Sequence, residues 1–281
     1  MNAHGLGPQL TAERSSNGNL AQIVSAPVHW QRGRNFDDVI GGAQRLVDDL
    51  ISSGRTLQVL EAGCGSRSVI QLGPKRHLVG IDISEEQLGR NATIDEKILG
   101  DIQTFRLEPR KFDIVLCWDV LEHLRHPGNA LDNFRRSLRE GGIIVLAGPV
   151  LNSVKGIITK FTPHWFHVLA YRLILGYKAA GKKGCGPFRT FLRTSMSPRS
   201  IQRFAQQHQL TIEYFSVYED DVWHRTMKQN RIIGAAFLAF GILLNFASLG
   251  WIDPNITDLI IVLRKPATNE VESTAKRVLS K

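Results

Sequence analysis

Up to Pro149 the chain alternates between two textures, and after it the alternation stops. Short, continuous apolar runs stand at Leu57–Glu61, Leu78–Asp82, Lys97–Leu99, Phe112–Trp118 and Gly142–Ala147. Runs of that length, separated by helical stretches, predict strands of a parallel sheet covered on both faces. The first helix is expected to start at Phe36, capped by Asn35 and stopped by Gly54. Its apolar positions Val39, Ile40, Ala43, Leu46, Val47 and Leu50 repeat at 3 and 4 and form one stripe toward the sheet. Ser84–Arg90 and Pro127–Arg139 read as further helices, and the fourth strand is expected to run into a helix before Leu124.

Residues 150–196 differ in character. Thr162–Lys178 is aromatic and apolar with basic residues near its ends, and Gly181–Pro187 is too glycine-rich for regular structure. An insertion beside the strand ends is where a substrate cap would sit. Ser197 and Pro198 then open a helix over Arg199–His208, with strands expected at Thr211–Tyr218 and Thr257–Leu263. Between those strands Ile232–Ile252 carries no charge, and its length matches a bilayer span. Three readings stand: a helix or hairpin lying in the membrane interface, a helix buried in the core or in a dimer contact, and a true span. Attachment at the interface is the favoured one. A single crossing would put two strands of one sheet on opposite sides of the membrane, and Arg225, Lys228 and Arg231 just before the segment suit an anionic lipid surface.

Charge sharpens this picture. The net charge is +9, and residues 151–231 hold 13 Lys and Arg against 4 Asp and Glu, while residues 1–150 are nearly balanced. Such a block points to phosphate, nucleic acid or anionic lipid. The 3 cysteines, Cys64, Cys117 and Cys185, have neither disulfide nor metal spacing, which suits a reducing cytoplasm. Residues 1–34 show no signal-peptide pattern and are expected to form a mobile arm.

The chemistry concentrates in Val59–Ser68, a strand entering Glu61 and the Gly63-Cys64-Gly65 turn, and in Gly80–Ser84, a strand ending in Asp82. Glycines let backbone approach a ligand closely, and an acid at the second strand end can hold ribose hydroxyls. The pair says nucleoside-type cofactor. A dinucleotide site wants a third glycine where Ser68 stands, and Glu61 suits a cationic ligand better than a pyrophosphate. On these residues alone both cofactor classes remain open. Carboxyl strand ends, where such sites lie, carry Glu61, Asp82, Asp101 and Trp118.

Gly100-Asp101-Ile102, Phe112-Asp113-Ile114-Val115 and the Glu140-Gly141-Gly142 strand entry follow in an order that resembles the class I S-adenosylmethionine-dependent methyltransferases, in particular their type 11/type 12 small-molecule group. The resemblance covers residues 36–150 tightly and 197–264 loosely. It implies an α/β, Rossmann-like fold with a seven-stranded, mostly parallel sheet and an antiparallel last strand, plus an inserted cap and an apolar helix. The expected organisation is an arm over 1–34, a cofactor-binding core over 35–149, a cap over 150–196, the rest of the sheet with apolar helix 232–252 over 197–264, and a tail over 265–281. The cofactor implied is S-adenosyl-L-methionine. Glu61, Gly63 and Gly65 would line its methionine and ribose end, Asp82 would take the ribose hydroxyls, and Ile83 would lie against adenine. Asp101 would accept from the adenine amino group, with Ile102 packing on the ring. Arg67 stands where many members carry a glycine.

Some related O-methyltransferases carry E-x-x-E-H as ligands of a divalent cation, and Asp119-Val-Leu-Glu122-His123 matches in part. Three roles stay open for it: metal ligation, His123 as a base on a hydroxyl acceptor, or plain surface and capping residues. No metal is assigned. His164 and His167 read as cap aromatics, not ligands. The expected activity is methyl transfer, O-directed, to a small-molecule or lipid-linked acceptor at the inner face of the membrane. The alternatives are nucleic-acid methylation, disfavoured for want of a target-nucleotide motif, and a non-catalytic cofactor-binding subunit.

Overall fold

The computed structural model describes residues 31–33, 36–65, 70–174, 176–182, 185–193 and 197–267. Asn35, Arg67 and Ser68, most of the expected arm and most of the tail lie outside the described residues. The strands are β1 (Gln31–Arg32), β2 (Leu57–Ala62), β3 (Arg76–Asp82), β4 (Glu96–Leu99), β5 (Phe112–Trp118), β6 (Leu138–Pro149), β7 (Thr211–Tyr218) and β8 (Asp258–Arg264). They form one sheet in the order β1-β7-β8-β6-β5-β2-β3-β4. Pairing is parallel except around β8, which runs antiparallel to both β6 and β7. Seven of these are the expected strands with the expected antiparallel last one. The eighth is a two-residue edge strand, Gln31 and Arg32 paired with Ser216 and Val217, so the end of the presumed free arm is tied to the sheet.

Helix α1 (Phe36–Ile51) and α2 (Glu85–Arg90) cover one face, burying Val39, Ala43, Val47 and Leu88. Helices α3 (Pro127–Ser137) and α6 (Pro198–Gln207) cover the other with Leu131, Phe134, Ile201 and Ala205. Asp113, the acid of the Phe-Asp pair, is buried at the start of β5. It accepts from Gln58 N at 2.8 Å and pairs with Arg55 and Arg139 at 2.8 and 3.1 Å. A buried charge is tolerated when it is so paired, and here it ties the sheet at the end away from the cofactor loops.

Two local expectations are corrected. Past β5 there is no α-helix but a single 3-10 turn, Leu121–His123, after Asp119 takes a φ of +51°. Asp is among the few residues that adopt this left-handed conformation at low cost. Helix α3 stops at Ser137, and β6 begins at Leu138, four residues before the expected Gly142; Gly141, with φ +76°, accommodates the irregular entry. The inserted segment holds two helices, α4 (Val154–Phe161) and α5 (His164–Leu173).

The apolar stretch forms α8 (Arg231–Ala247), which ends before Ile252 because Leu249 and Gly250 turn left-handed. It follows α7 (Asp221–Gln229) across a 117° bend, and no single described helix is long and apolar enough to cross a membrane. The elbow is tight: Trp223 meets Phe237 edge-on at 5.0 Å. Only Gly241 of α8 is buried, where it closes on Val154 and Pro254. The core-helix alternative is therefore overturned. Ile232, Leu238, Leu243 and Phe246 stand in the open, Phe246 at 83% exposure.

Candidate functional site

Strand order reverses direction of travel between β2 and β5, and the loops after those strands face one crevice, as open α/β sheets require of a ligand site. Gly63 and Gly65 follow β2 with φ of +66° and +49°. A Cβ on Gly63 would run into the Val120 side chain, so the chain passes there only without a side chain. Asp82 closes β3. Its Oδ2 accepts from Gly65 N at 3.1 Å and its Oδ1 from Ser84 N at 2.8 Å. One carboxylate thus fixes the glycine turn against the second strand end. Ile83 beside it is 77% exposed.

Glu61 is buried next to the turn, and Cys64 between the glycines has its thiol pushed up to about 12 by burial and by the charges of Asp82 and Glu61. That thiol is an inert packing group at neutral pH. Asp101 Oδ1 accepts from Gln103 N and Nε2 at 2.9 and 3.0 Å, and its Oδ2 accepts from the same Nε2 at 3.1 Å. Ile102 departs from expectation, because its side chain is buried in the core and leaves Ile83 as the open apolar surface for a ring. Trp118, at the end of β5, packs edge-on to Phe36 at 5.7 Å.

The second half of the site joins the Asp119–His123 motif to Lys155 and Asp258, which belong to no motif. Lys155 of α4 donates to Asp258 at the start of β8, 2.9 Å to Oδ2, and Asp119, Asp220, Tyr171 and Tyr218 all feel this pair. Asp119 and Glu122 both approach Gly148 at the end of β6. Glu122 is buried, and burial together with Asp258 pushes its carboxyl up to about 8. Asp119 keeps part of its surface in solvent. The lost hydration, then Glu122 and Asp258, hold its carboxyl well above the usual range. The two titrate as a pair that retains a proton at neutral pH.

His123 sits between this floor and the cap. Its Nδ1 lies 3.0 Å from the Arg189 carbonyl oxygen and its Nε2 3.6 Å from Glu122 Oε1. Burial lowers its pKa, so the ring is neutral near pH 7. The Glu122 carbonyl accepts from the N–H groups of Phe191 and Leu192 at 2.8 and 3.0 Å, which seats the cap on the turn. His167 instead meets Thr162 Oγ1 at 2.6 Å. Among the described residues no group of three His, Cys, Asp or Glu is placed to hold a metal ion.

Comparison with known proteins matches residues 32–214 to the family described as Methyltransferase domain. A ubiquinone biosynthesis O-methyltransferase of Paraburkholderia phytofirmans is 34% identical over 103 residues, 32% of this chain and 42% of that protein. An uncharacterized 37.1 kDa protein in transposon TN4556 of Streptomyces fradiae is 33% identical over 106 residues, 34% of this chain and 31% of that one. The chain thus spans less than half the length of either relative. A SAM-dependent methyltransferase from Archaeoglobus fulgidus superposes with a TM-score of 0.45 at 14% identity, over 80% of this chain and 93% of that one.

Proposed function

This chain belongs to the methyltransferase-domain family, and on that premise we propose that it is an S-adenosyl-L-methionine-dependent methyltransferase that methylates an oxygen of a small-molecule or lipid-linked acceptor at the cytoplasmic face of a membrane. The observation that carries the oxygen assignment is the His123 tautomer. A carbonyl oxygen only accepts, so Nδ1 bears the hydrogen toward Arg189 and Nε2 presents a lone pair. A neutral imidazole so oriented takes the proton from an acceptor hydroxyl as that oxygen becomes the nucleophile.

The donor set fits the cofactor. Asp82 would hold the ribose hydroxyls, the Gly63–Gly65 turn gives close backbone approach, Ile83 offers an apolar face to adenine, and Glu61 places negative charge beside a cationic ligand. Bound there, S-adenosyl-L-methionine supplies a methyl group already activated on a sulfonium. The chain's own work is then to orient the acceptor, exclude water and receive the hydroxyl proton. The Asp119–Glu122 pair keeps the floor from carrying two full negative charges.

The membrane assignment rests on the open apolar faces of α5 and α8, with Trp165, Leu169, Leu243 and Phe246, flanked by Arg225, Lys228 and Arg231. Helix α8 packs through Gly241 on Val154, the neighbour of Lys155, and Tyr171 of α5 reaches the same charged floor. The apolar surface therefore adjoins the acceptor side of the site. The relatives named for ubiquinone biosynthesis O-methylation support an apolar acceptor. The test is incubation of the protein with methyl-labelled S-adenosyl-L-methionine and, separately, membrane extract and total RNA. Label in organic-extractable material supports this reading, and label only in RNA or on nitrogen contradicts it.

A further inference from the structure

Three guanidinium groups converge on one ring at the mouth of the site. Cζ of Arg125, Arg189 and Arg193 lies 5.4, 5.4 and 5.7 Å from the centroid of Phe191. All three are charged at any ordinary pH and repel one another. Among the described residues none of them has a carboxylate within 4.0 Å, whereas Arg135, Arg136 and Arg139 are each paired with an aspartate. One aromatic face offsets part of that repulsion through cation–π attraction but supplies no counter-charge.

The cluster is held in place. The N–H of Phe191 donates to the Glu122 carbonyl, and the Arg189 carbonyl accepts from His123. Arg125 leaves the chain two residues after His123 and two before Pro127, where α3 starts. The N-cap of that helix, His126, makes no side-chain cap bond, so the positive end of the helix dipole adds to the local potential. Such an arrangement is made for an anion of more than one charge. A carboxylate would be satisfied by a single guanidinium fork, while a phosphoryl group offers three oxygens and up to two charges. A nucleic-acid backbone would want a stripe of cations, not one focus.

We propose that Arg125, Arg189 and Arg193 bind a phosphoryl group of the methyl acceptor, so that the substrate is a phosphate or diphosphate ester whose hydroxyl reaches His123. This rests on the assignment of His123 to the acceptor side. Because the arginines touch none of the cofactor residues, their test runs independently of methyl transfer.

The experiment is calorimetric titration of inorganic pyrophosphate into the full chain at fixed ionic strength, beside R125Q/R189Q/R193Q and the single variant R189Q. Wild type is expected to bind saturably at one site, R189Q several-fold more weakly, and the triple variant at least tenfold more weakly. S-adenosyl-L-methionine affinity, read on the same samples, is expected to be unchanged in all three, which also certifies folding; should the triple variant fail to fold, R189Q carries the comparison. Displacement of pyrophosphate by phosphatidate vesicles assigns the phosphoryl group to a lipid-borne ester, and displacement only by soluble phenyl phosphate assigns it to a free one. Absence of saturable binding by wild type, equal affinity in wild type and R189Q, or displacement only by single-stranded RNA overturns the proposal. Loss of cofactor binding in wild type would instead strike the reading of the site as a whole.

Discussion

His123 Nδ1 and the carbonyl oxygen of Arg189 are 3.0 Å apart although the residues are 66 positions apart in sequence. That bond links the strand-end turn to the inserted cap and fixes which ring nitrogen is free. His123→Ala is expected to lower turnover about 10²–10⁴-fold with cofactor affinity unchanged. In wild type, turnover should rise with pH through an apparent pKa below the ordinary histidine value of 6.5, because burial disfavours the imidazolium. A steady-state pH profile of both proteins checks it. Equal turnover in the variant, or an acid limb unmoved by the substitution, removes His123 from the chemistry.

Glu122 carries the clearest pH signature for stability. Its carboxyl is raised above the unfolded value of 4.5 to about 8, so the native state holds a proton that the unfolded state has released. Stability from this group is full below the unfolded pKa and declines as pH rises toward the folded one. Glu122→Gln should therefore gain stability relative to wild type between pH 5 and pH 9, on the order of 1–3 kcal/mol at the upper end. Denaturant melts across that range read it directly. A difference that is flat with pH would mean that Glu122 is ionised throughout.

Gly63 tests the close approach at the turn. Alanine there meets Val120 and a φ of +66°, for a cost of about 1–3 kcal/mol and loss of cofactor binding. The double variant Gly63→Ala with Val120→Ala removes the collision but not the backbone strain, so thermal melts should show partial recovery of stability. Full stability in the single variant would mean the turn has room that the structure does not show.

The open face of α8 separates membrane docking from burial. Leu243→Asp with Phe246→Asp should leave the fold and cofactor affinity intact, since both side chains are exposed, and should abolish binding to anionic vesicles. Charge reversal at Lys228 and Arg231 should weaken vesicle binding by about 1 kcal/mol per residue, more at low salt. Co-sedimentation with vesicles measures both. Indifference of wild type to vesicles, with a dimer that the aspartates split, would reassign the face to a second copy of the chain.

Much of the fold was legible because apolar runs in a buried parallel sheet are continuous: Phe112–Trp118 coincides with strand β5, and Leu57–Glu61 with all but the last residue of β2. Ends were less legible. The early start of β6 depends on Gly141, and the stop of α8 on a left-handed Leu249, neither of which disturbs hydrophobic periodicity. The cofactor side was readable since Gly63, Gly65 and Asp82 act through local backbone geometry. The acceptor side was readable only at Asp119, Glu122 and His123. Lys155 and Asp258 stand 103 positions apart, and Arg125 meets Arg189 and Arg193 only because the cap folds back over the His123 turn. Ile102 shows the opposite failure, a motif position whose side chain the core claims.

The placement of the cofactor on Asp82 is the claim on which the rest stands, and titration of S-adenosyl-L-methionine into wild type, Asp82→Ala and Asp82→Asn tests it most directly. Loss of a charge-assisted contact to two hydroxyls should cost about 2–4 kcal/mol in the alanine variant. Asparagine keeps an acceptor for Gly65 N or Ser84 N and so separates turn geometry from ribose binding. The account predicts saturable binding by wild type, binding weakened by at least an order of magnitude in both variants, and melting curves that show both folded. Wild-type affinity in either variant would contradict it.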